Sequence, residues 1–129
     1  MENSYNVEVK SASRTLTAKE RIMVKQLSSA QRLDELTQDG PVYIHADAYA
    51  ILAVHNEKSK GDKDYETMVL LDTDGSLYVT GSASFRNSIE QLWDDYKELA
   101  DSGEEISFKV FRLPSKNYKG KEFISATII

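Results

Sequence analysis

Five runs of alternating hydrophobicity, turn residues between them and one long apolar helix stripe predict a mainly β protein with α decoration. The runs are Val42 to Val54, Tyr65 to Leu71, Ser76 to Gly81, Ile106 to Arg112 and Phe123 to Ile128. The stripe is Phe85, Ile89, Leu92, Trp93, Tyr96 and Leu99, all at helical spacing. A chain of 129 residues with no repeat and no linker makes a single domain around one core.

Residues 1–13 are polar without a clear period, which predicts a flexible lead-in. Thr17 with Glu20 fits a capping box ahead of Ile22, Val24 and Leu27. Ser28 with Gln31 offers a second cap ahead of Leu33 and Leu36. Two short helical pieces then end near Gly40, although Arg21 to Lys25 also reads as a strand. Residues 1–40 are thus expected to be a flexible and helical N-terminal extension. In the first strand Val42, Ile44, Ala46, Ala48, Ala50, Leu52 and Val54 share one face, and Tyr43, His45, Asp47, Tyr49 and His55 share the other. Its 13 residues are long for a strand, so a bulge is expected near Ala46 to Ala48. That bulge would switch the faces beyond it.

Asn56 to Asp64 is a charged loop, and Asp72-Thr73-Asp74-Gly75 is a hairpin turn. Ser84 is the expected cap of the striped helix and Gly103 its end. Residues 41–129 therefore run long strand, strand, strand, helix, strand, strand. That is the layout of a five-stranded OB-fold-like barrel with its helix between strands three and four.

The net charge of -5 argues against a protein that coats duplex DNA through overall basicity. The charge is unevenly distributed. Residues 84–105 hold seven acids and two bases, whereas residues 112–122 hold four bases and one acid. A local field matters more than net charge for a groove binder. The chain has no cysteine, no apolar run of membrane-spanning length and no apolar signal core in its first ten residues. A cytoplasmic protein with no membrane partner, disulfide, metal or cofactor is expected.

The turn-rich segment Pro114 to Lys121 joins the last two strands and holds Lys116, Lys119, Lys121 and Tyr118. A basic, aromatic hairpin on an acidic domain fits a polyanion with stackable rings, which describes single-stranded nucleic acid. If Ile106, Phe108 and Val110 face the core, Phe111 stands outside beside Lys109, and Phe123 is exposed on the last strand. The alternative for both rings is packing under the N-terminal helices or at a dimer contact. Arg112 adds a further cation, and Tyr43, His45, Tyr49, Tyr65 and Tyr78 are strand aromatics available to line a groove, with at least one of them structural. Trp93 belongs to the helix stripe and is expected in the core.

Asp72-Thr73-Asp74-Gly75-Ser76-Leu77-Tyr78 with its flanking strands, the helix after it, and Phe108-Lys109-Val110 leading into Lys119-Gly120-Lys121-Glu122-Phe123 form a recognisable series. In these segments the chain resembles the short single-stranded DNA-binding proteins encoded by phages and prophages of Gram-positive bacteria. The resemblance covers roughly residues 40–129 and implies an OB-fold that coats exposed single strands cooperatively during replication. Bacterial homotetrameric relatives recruit partners through an acidic C-terminal tail. Here the sequence stops in an apolar strand at Ile129, so partner recruitment by such a tail is not expected.

The expected function is non-catalytic protection of single-stranded DNA, with single-stranded DNA, replication proteins and further copies of the chain as partners. The alternative is a protein-interaction module of OB-like fold that binds a host or replication protein, with an RNA-binding domain of the cold-shock type third. No enzyme is indicated. Asp72 and Asp74 lack the further oxygen ligands of a calcium loop. The two histidines are ten residues apart with no cysteine nearby, which does not make a metal pair. The six glycines form neither a phosphate loop nor a dinucleotide fingerprint.

Overall fold

The computed structural model describes residues 5–58, 61, 63–101, 106–114, 120 and 122–128, with backbone alone for residues 5, 28 and 96–101. In chain order the elements are β1 (Tyr5–Ala12), α1 (Ala18–Lys25), a 3-10 turn (Leu27–Ser29), β2 (Gln31–Arg32), α2 (Leu33–Leu36), β3 (Val42–Asn56), β4 (Asp64–Asp72), β5 (Leu77–Thr80), α3 (Ala83–Asp101), β6 (Ile106–Pro114) and β7 (Glu122–Ile128). The strands form one curled, half-barrel sheet in the order β2-β5-β4-β3-β6-β7. Among the described residues β2 and β7 are its open ends. β1 lies off this path and pairs with the second half of β3.

Among the described residues seven strands stand where the sequence predicts five. The expected flexible lead-in is instead β1, antiparallel to β3 from Tyr5↔Asn56 to Ala12↔Ala50. Its signal is short: only Val7 and Val9 alternate with Glu8 and Lys10 before a bulge shifts the register between Val9 and Ser11. α2 begins at Leu33, beyond the second cap expected at Ser28 and Gln31. Gln31 and Arg32 pair in parallel with Tyr78 and Val79, and Arg32 caps α2 with no side-chain bond. α3 is capped two residues earlier than expected, at Ser82, whose Oγ accepts the Phe85 N–H at 3.3 Å. The capping box of α1 forms as predicted. Thr17 Oγ1 accepts the Glu20 N–H at 3.2 Å, and the Glu20 carboxylate accepts the Thr17 N–H at 2.9 Å.

The expected bulge in β3 is present, and it organises the core. Ala46 pairs with Asp72 and Ala48 with Leu71, so Asp47 is the extra residue. Before it, Ile44 and Ala46 face a core filled by Phe85, Ile89, Trp93 and Phe108, and beyond it Ile51 takes over that face. Ala48, Ala50, Leu52 and Val54 turn to a second core, closed by Leu16 and Val24 from the N-terminal region. An inserted residue in a period-two strand has this consequence and no other. β4 is buried on both faces for the same reason: Met68 and Leu70 join the first core, Val69 and Leu71 the second. Two buried faces read as a continuous apolar run, as Met68 to Leu71 does.

Arg14 ties the second core to the bulge. Its guanidinium donates to both Glu20 carboxylate oxygens, at 2.9 and 2.6 Å, and to Asp47 Oδ2 at 2.7 Å. The Arg14 hydrogen bonds, aided by the Thr17 N–H, hold the Glu20 carboxyl down at about 2.

The apolar stripe of α3 packs as predicted through Phe85, Ile89 and Trp93, with Leu92 partly buried; the side chains of Tyr96 and Leu99, and the end at Gly103, lie outside the described residues. Trp93 meets Tyr49 edge-to-face at 5.1 Å between ring centroids and Phe108 at 6.2 Å.

Two measurements check this packing. Trp93→Ala should cost about 3–5 kcal/mol in chemical denaturation; an unchanged midpoint would mean that the stripe faces something other than the core. Because the folded Glu20 carboxyl titrates below its unfolded value of about 4.3, its contribution is present above that pH and is lost as pH falls toward 2. Glu20→Gln should therefore flatten the fall in thermal midpoint across that acid window, and an acid limb identical to the parent's would contradict the Arg14 clamp.

Candidate nucleic-acid interface

The outer face of the first half of β3, together with β6 and β7, gathers most of the described candidate residues. Before the bulge the odd residues of β3, Tyr43 and His45, point away from the core. On β6 the buried set is Ile106, Phe108 and Val110, which leaves Ser107, Lys109, Phe111 and Leu113 outside. On β7 Ile124 is buried, and Phe123, Ser125 and Thr127 face out. The ladder sets these side by side as Tyr43↔Lys109↔Thr127, His45↔Ser107, Phe111↔Ser125 and Leu113↔Phe123.

Tyr43, Phe111 and Phe123 consequently stand on a diagonal across three strands. Each is the offset neighbour of the next, roughly 7–8 Å away in such a ladder. Tyr43 is 55% exposed and Phe123 41%, a high value for large rings on a sheet, while Phe111 is half-buried. Phe111 and Tyr43 have short Ser125 or flexible Lys109 across from them, so their faces are not walled in by bulky neighbours. The Lys109 ammonium lies 5.8 Å from the Phe111 ring centroid, within cation–π range.

Asp72 positions this face from behind. The residue is buried, and its carboxylate accepts the His45 N–H at 3.0 Å and the Asp74 N–H at 3.0 Å. The Thr73 N–H donates to the His45 carbonyl at 2.9 Å. Both backbone groups of His45 are thereby fixed at the point where the regular β3–β4 ladder gives out. The His45 ring in turn meets Ser107 Oγ through Nδ1 at 2.9 Å. The sequence assigned Asp72 wholly to the hairpin turn and missed this role. The turn itself closes as predicted, with Gly75 at φ +91°.

The remaining candidates lie elsewhere. Tyr49 and Tyr78 sit on the inner face, partly buried on either side of Leu70, and burial raises the pKa of both phenols. Tyr65, on β4, is 40% exposed but far along the sheet, where it pairs with Val54. Arg112 shares its strand parity with Phe108 and Val110, so it points to the inner side. Its Nε donates to Thr37 Oγ1 at 3.1 Å and its terminal nitrogen to the Asp34 carbonyl, which tethers α2 to β6. Parity alone separates Arg112 from Lys109 in the sequence. Lys116, Tyr118, Lys119 and Lys121 lie outside the described residues; the strands they join end at the pair Pro114↔Glu122, next to Phe123. His55 is remote from this face, held between Asp64 at 2.6 Å and Glu57 at 2.6 Å. Among the described residues no group of His, Cys, Asp and Glu side chains is arranged to hold a metal ion, and no helix is long and apolar enough to cross a membrane.

A protein-family model described as phage single-stranded DNA-binding protein matches residues 1–129. No curated protein and no solved structure matches the chain.

Asp72→Ala should cost about 2–4 kcal/mol, because it removes three hydrogen bonds and strands two part-buried backbone donors. Its amide signature should be local: hydrogen exchange at His45 and Asp74 should accelerate more than in the centre of β4. Uniform acceleration would show that Asp72 acts only through global stability.

Proposed function

Because the chain belongs to the phage single-stranded DNA-binding protein family, we propose that it coats exposed single strands during replication in the cytoplasm of a bacterial host, without catalysis, through the outer face of β3, β6 and β7. The sheet is OB-fold-like in this reading. β3 to β7 supply its five strands with α3 between the third and fourth, and β1 and β2 are additions. The observation that carries the assignment is the diagonal of Tyr43, Phe111 and Phe123 with Lys109 beside it.

Ring spacing favours a single strand. Each step along the diagonal is roughly 7–8 Å. Successive bases in a duplex strand rise only ~3.4 Å. Rings at about twice that rise can be matched only by bases drawn out of their stack, which a paired duplex does not offer. Base faces stack on the rings irrespective of sequence, worth ~1–3 kcal/mol per base. Lys109 neutralises the phosphate next to a base on Phe111. Lys116, Lys119, Lys121 and Tyr118 are the further cations and the further ring that this reading assigns to the strand. Replication proteins and further copies of the chain are the expected partners.

Fluorescence quenching with an unstructured oligonucleotide and with a duplex of the same length tests the reading. Single strands should bind more tightly at every salt concentration. Lys109→Ala should flatten the slope of log affinity against log salt by ~0.7, the value for one phosphate contact on a single strand. Tyr43→Ala and Phe111→Ala should lower affinity at all salts with little change of slope. Folded variants of Tyr43, Phe111, Lys109 and Tyr118 that all bind like the parent would remove this face from consideration and favour a protein-interaction surface.

A further inference from the structure

We propose that α1 is a phosphate track on which the coated single strand continues beyond Tyr43, a proposal that rests on the single-strand coating reading. The diagonal of rings leads there. Phe123 is level with Leu113, Phe111 lies two residues along β6, and Tyr43 is level with Lys109, a further two residues on. Crossing the sheet from β7 to β3 therefore brings each ring nearer the bulge at Asp47. A strand laid over the rings leaves Tyr43 in the direction of β4 and β5, and α1 lies on that side.

The topology fixes where α1 sits. Ser13 donates its N–H to the Tyr49 carbonyl on β3, and the chain rejoins the sheet at Gln31, beside Tyr78 on β5. Between these points α1 carries the chain over β4. Two strand spacings are ~10 Å and a helix of eight residues is ~12 Å long, so the helix spans the crossing. Val24 packs into the second core, on the side of the sheet where Tyr43 stands before the bulge. Glu20, in the first turn of the helix, is joined to Asp47 through Arg14. The helix thus starts where the diagonal ends.

The outward face of α1 is basic. Lys19, Arg21 and Lys25 are exposed, and among the described residues none of them is in an ion pair. Arg21 uses one N–H on the Leu16 carbonyl at 2.8 Å, which anchors the guanidinium without neutralising it. The acid of the helix, Glu20, is already taken by Arg14. With Arg14 and Asp47 included, the region holds four bases and two acids on a chain whose net charge is -5. Lys19, Ile22 and Lys25 follow one another three residues apart, opposite the buried Val24. Ile22 is 61% exposed, the most exposed large apolar side chain among the described residues. An apolar surface between two ammonium groups suits a deoxyribose between two phosphates. The two lysines are ~9 Å apart along the helix axis, and their flexible stems adapt to the phosphate spacing.

A thymidine homopolymer of ~16 bases, the upper end of site sizes for one OB-fold, tests the track. The full chain is titrated by its tyrosine and tryptophan emission at several salt concentrations. In the double variant Lys19→Ala, Lys25→Ala the slope of log affinity against log salt should flatten by ~1.4, two phosphate contacts at ~0.7 each. Alanine is the better helix former, so the substitutions leave α1 in place. The control is Lys58→Ala, Lys63→Ala, which removes the same two charges beside the β3–β4 turn, remote from the rings. Its slope should match the parent's. Equal flattening in both double variants would make the effect one of net charge and overturn the track. A parental slope in the α1 variant overturns it too, and leaves the coating reading standing if Lys109→Ala still flattens the slope. Failure of the parent to bind the homopolymer overturns the coating reading and the track with it.

Discussion

Asp47, the extra residue in β3, is the constraint on which the rest of the structure depends. Without it a 15-residue strand would keep one face buried along its whole length and one face wet. With it, the face that Tyr43 and His45 present to solvent becomes, from Ala48 onward, the face that packs on Leu16 and Val24. One strand therefore serves a solvated sheet at one end and a two-sided core at the other. The groups around the bulge are spent on holding it. Asp72 and Thr73 take the His45 backbone, and Arg14 bridges Asp47 to Glu20 at the start of α1. The N-terminal region is consequently a wall of the second core, and the candidate face and that wall are fixed by the same few residues.

The five predicted strands and the buried stripe of α3 were legible because each is a periodicity carried by many residues, and the bulge because β3 is too long for a regular strand. Ile44 through Val54 gives six alternating apolar positions, and a single wrong residue does not erase the signal. β1 escaped because its alternation is two valines long, and β2 because two residues carry no period at all. Both are held by pairing partners remote in sequence, Leu52 and Val54 for β1 and Tyr78 and Val79 for β2. Tertiary pairing of this kind leaves no local trace.

The candidate face was legible in proportion to strand parity. Tyr43, His45, Lys109, Phe111 and Phe123 come together because alternation from the buried residues Ile44, Phe108 and Ile124 fixes their side of the sheet. Tyr49 departs from Tyr43 although both are odd-numbered on one strand, since the bulge lies between them. Arg112 was grouped with Lys109 by charge, and parity sends it the other way, into the bond with Thr37. Residue type nominates a ligand group; the pleat decides whether it can reach a ligand.

Energetics then favour rings over charges as the main source of affinity in the proposed site. The chain carries -5 overall, and a polyanion meets that repulsion at long range. At ~0.1 M salt the field is screened beyond about 10 Å, so the repulsion fades while contacts within the interface survive. Of the described cations only Lys109 stands among the rings, because Arg112 is tethered inward. Three stacked bases at ~1–3 kcal/mol each outweigh one exposed phosphate contact of ~0–1 kcal/mol. An acidic protein can hold a polyanion on these terms provided the bases, not the phosphates, are the part it grips. A single strand presents bases freely and a duplex does not, so the proposed preference for unpaired DNA rests on the same balance that allows the protein to be acidic.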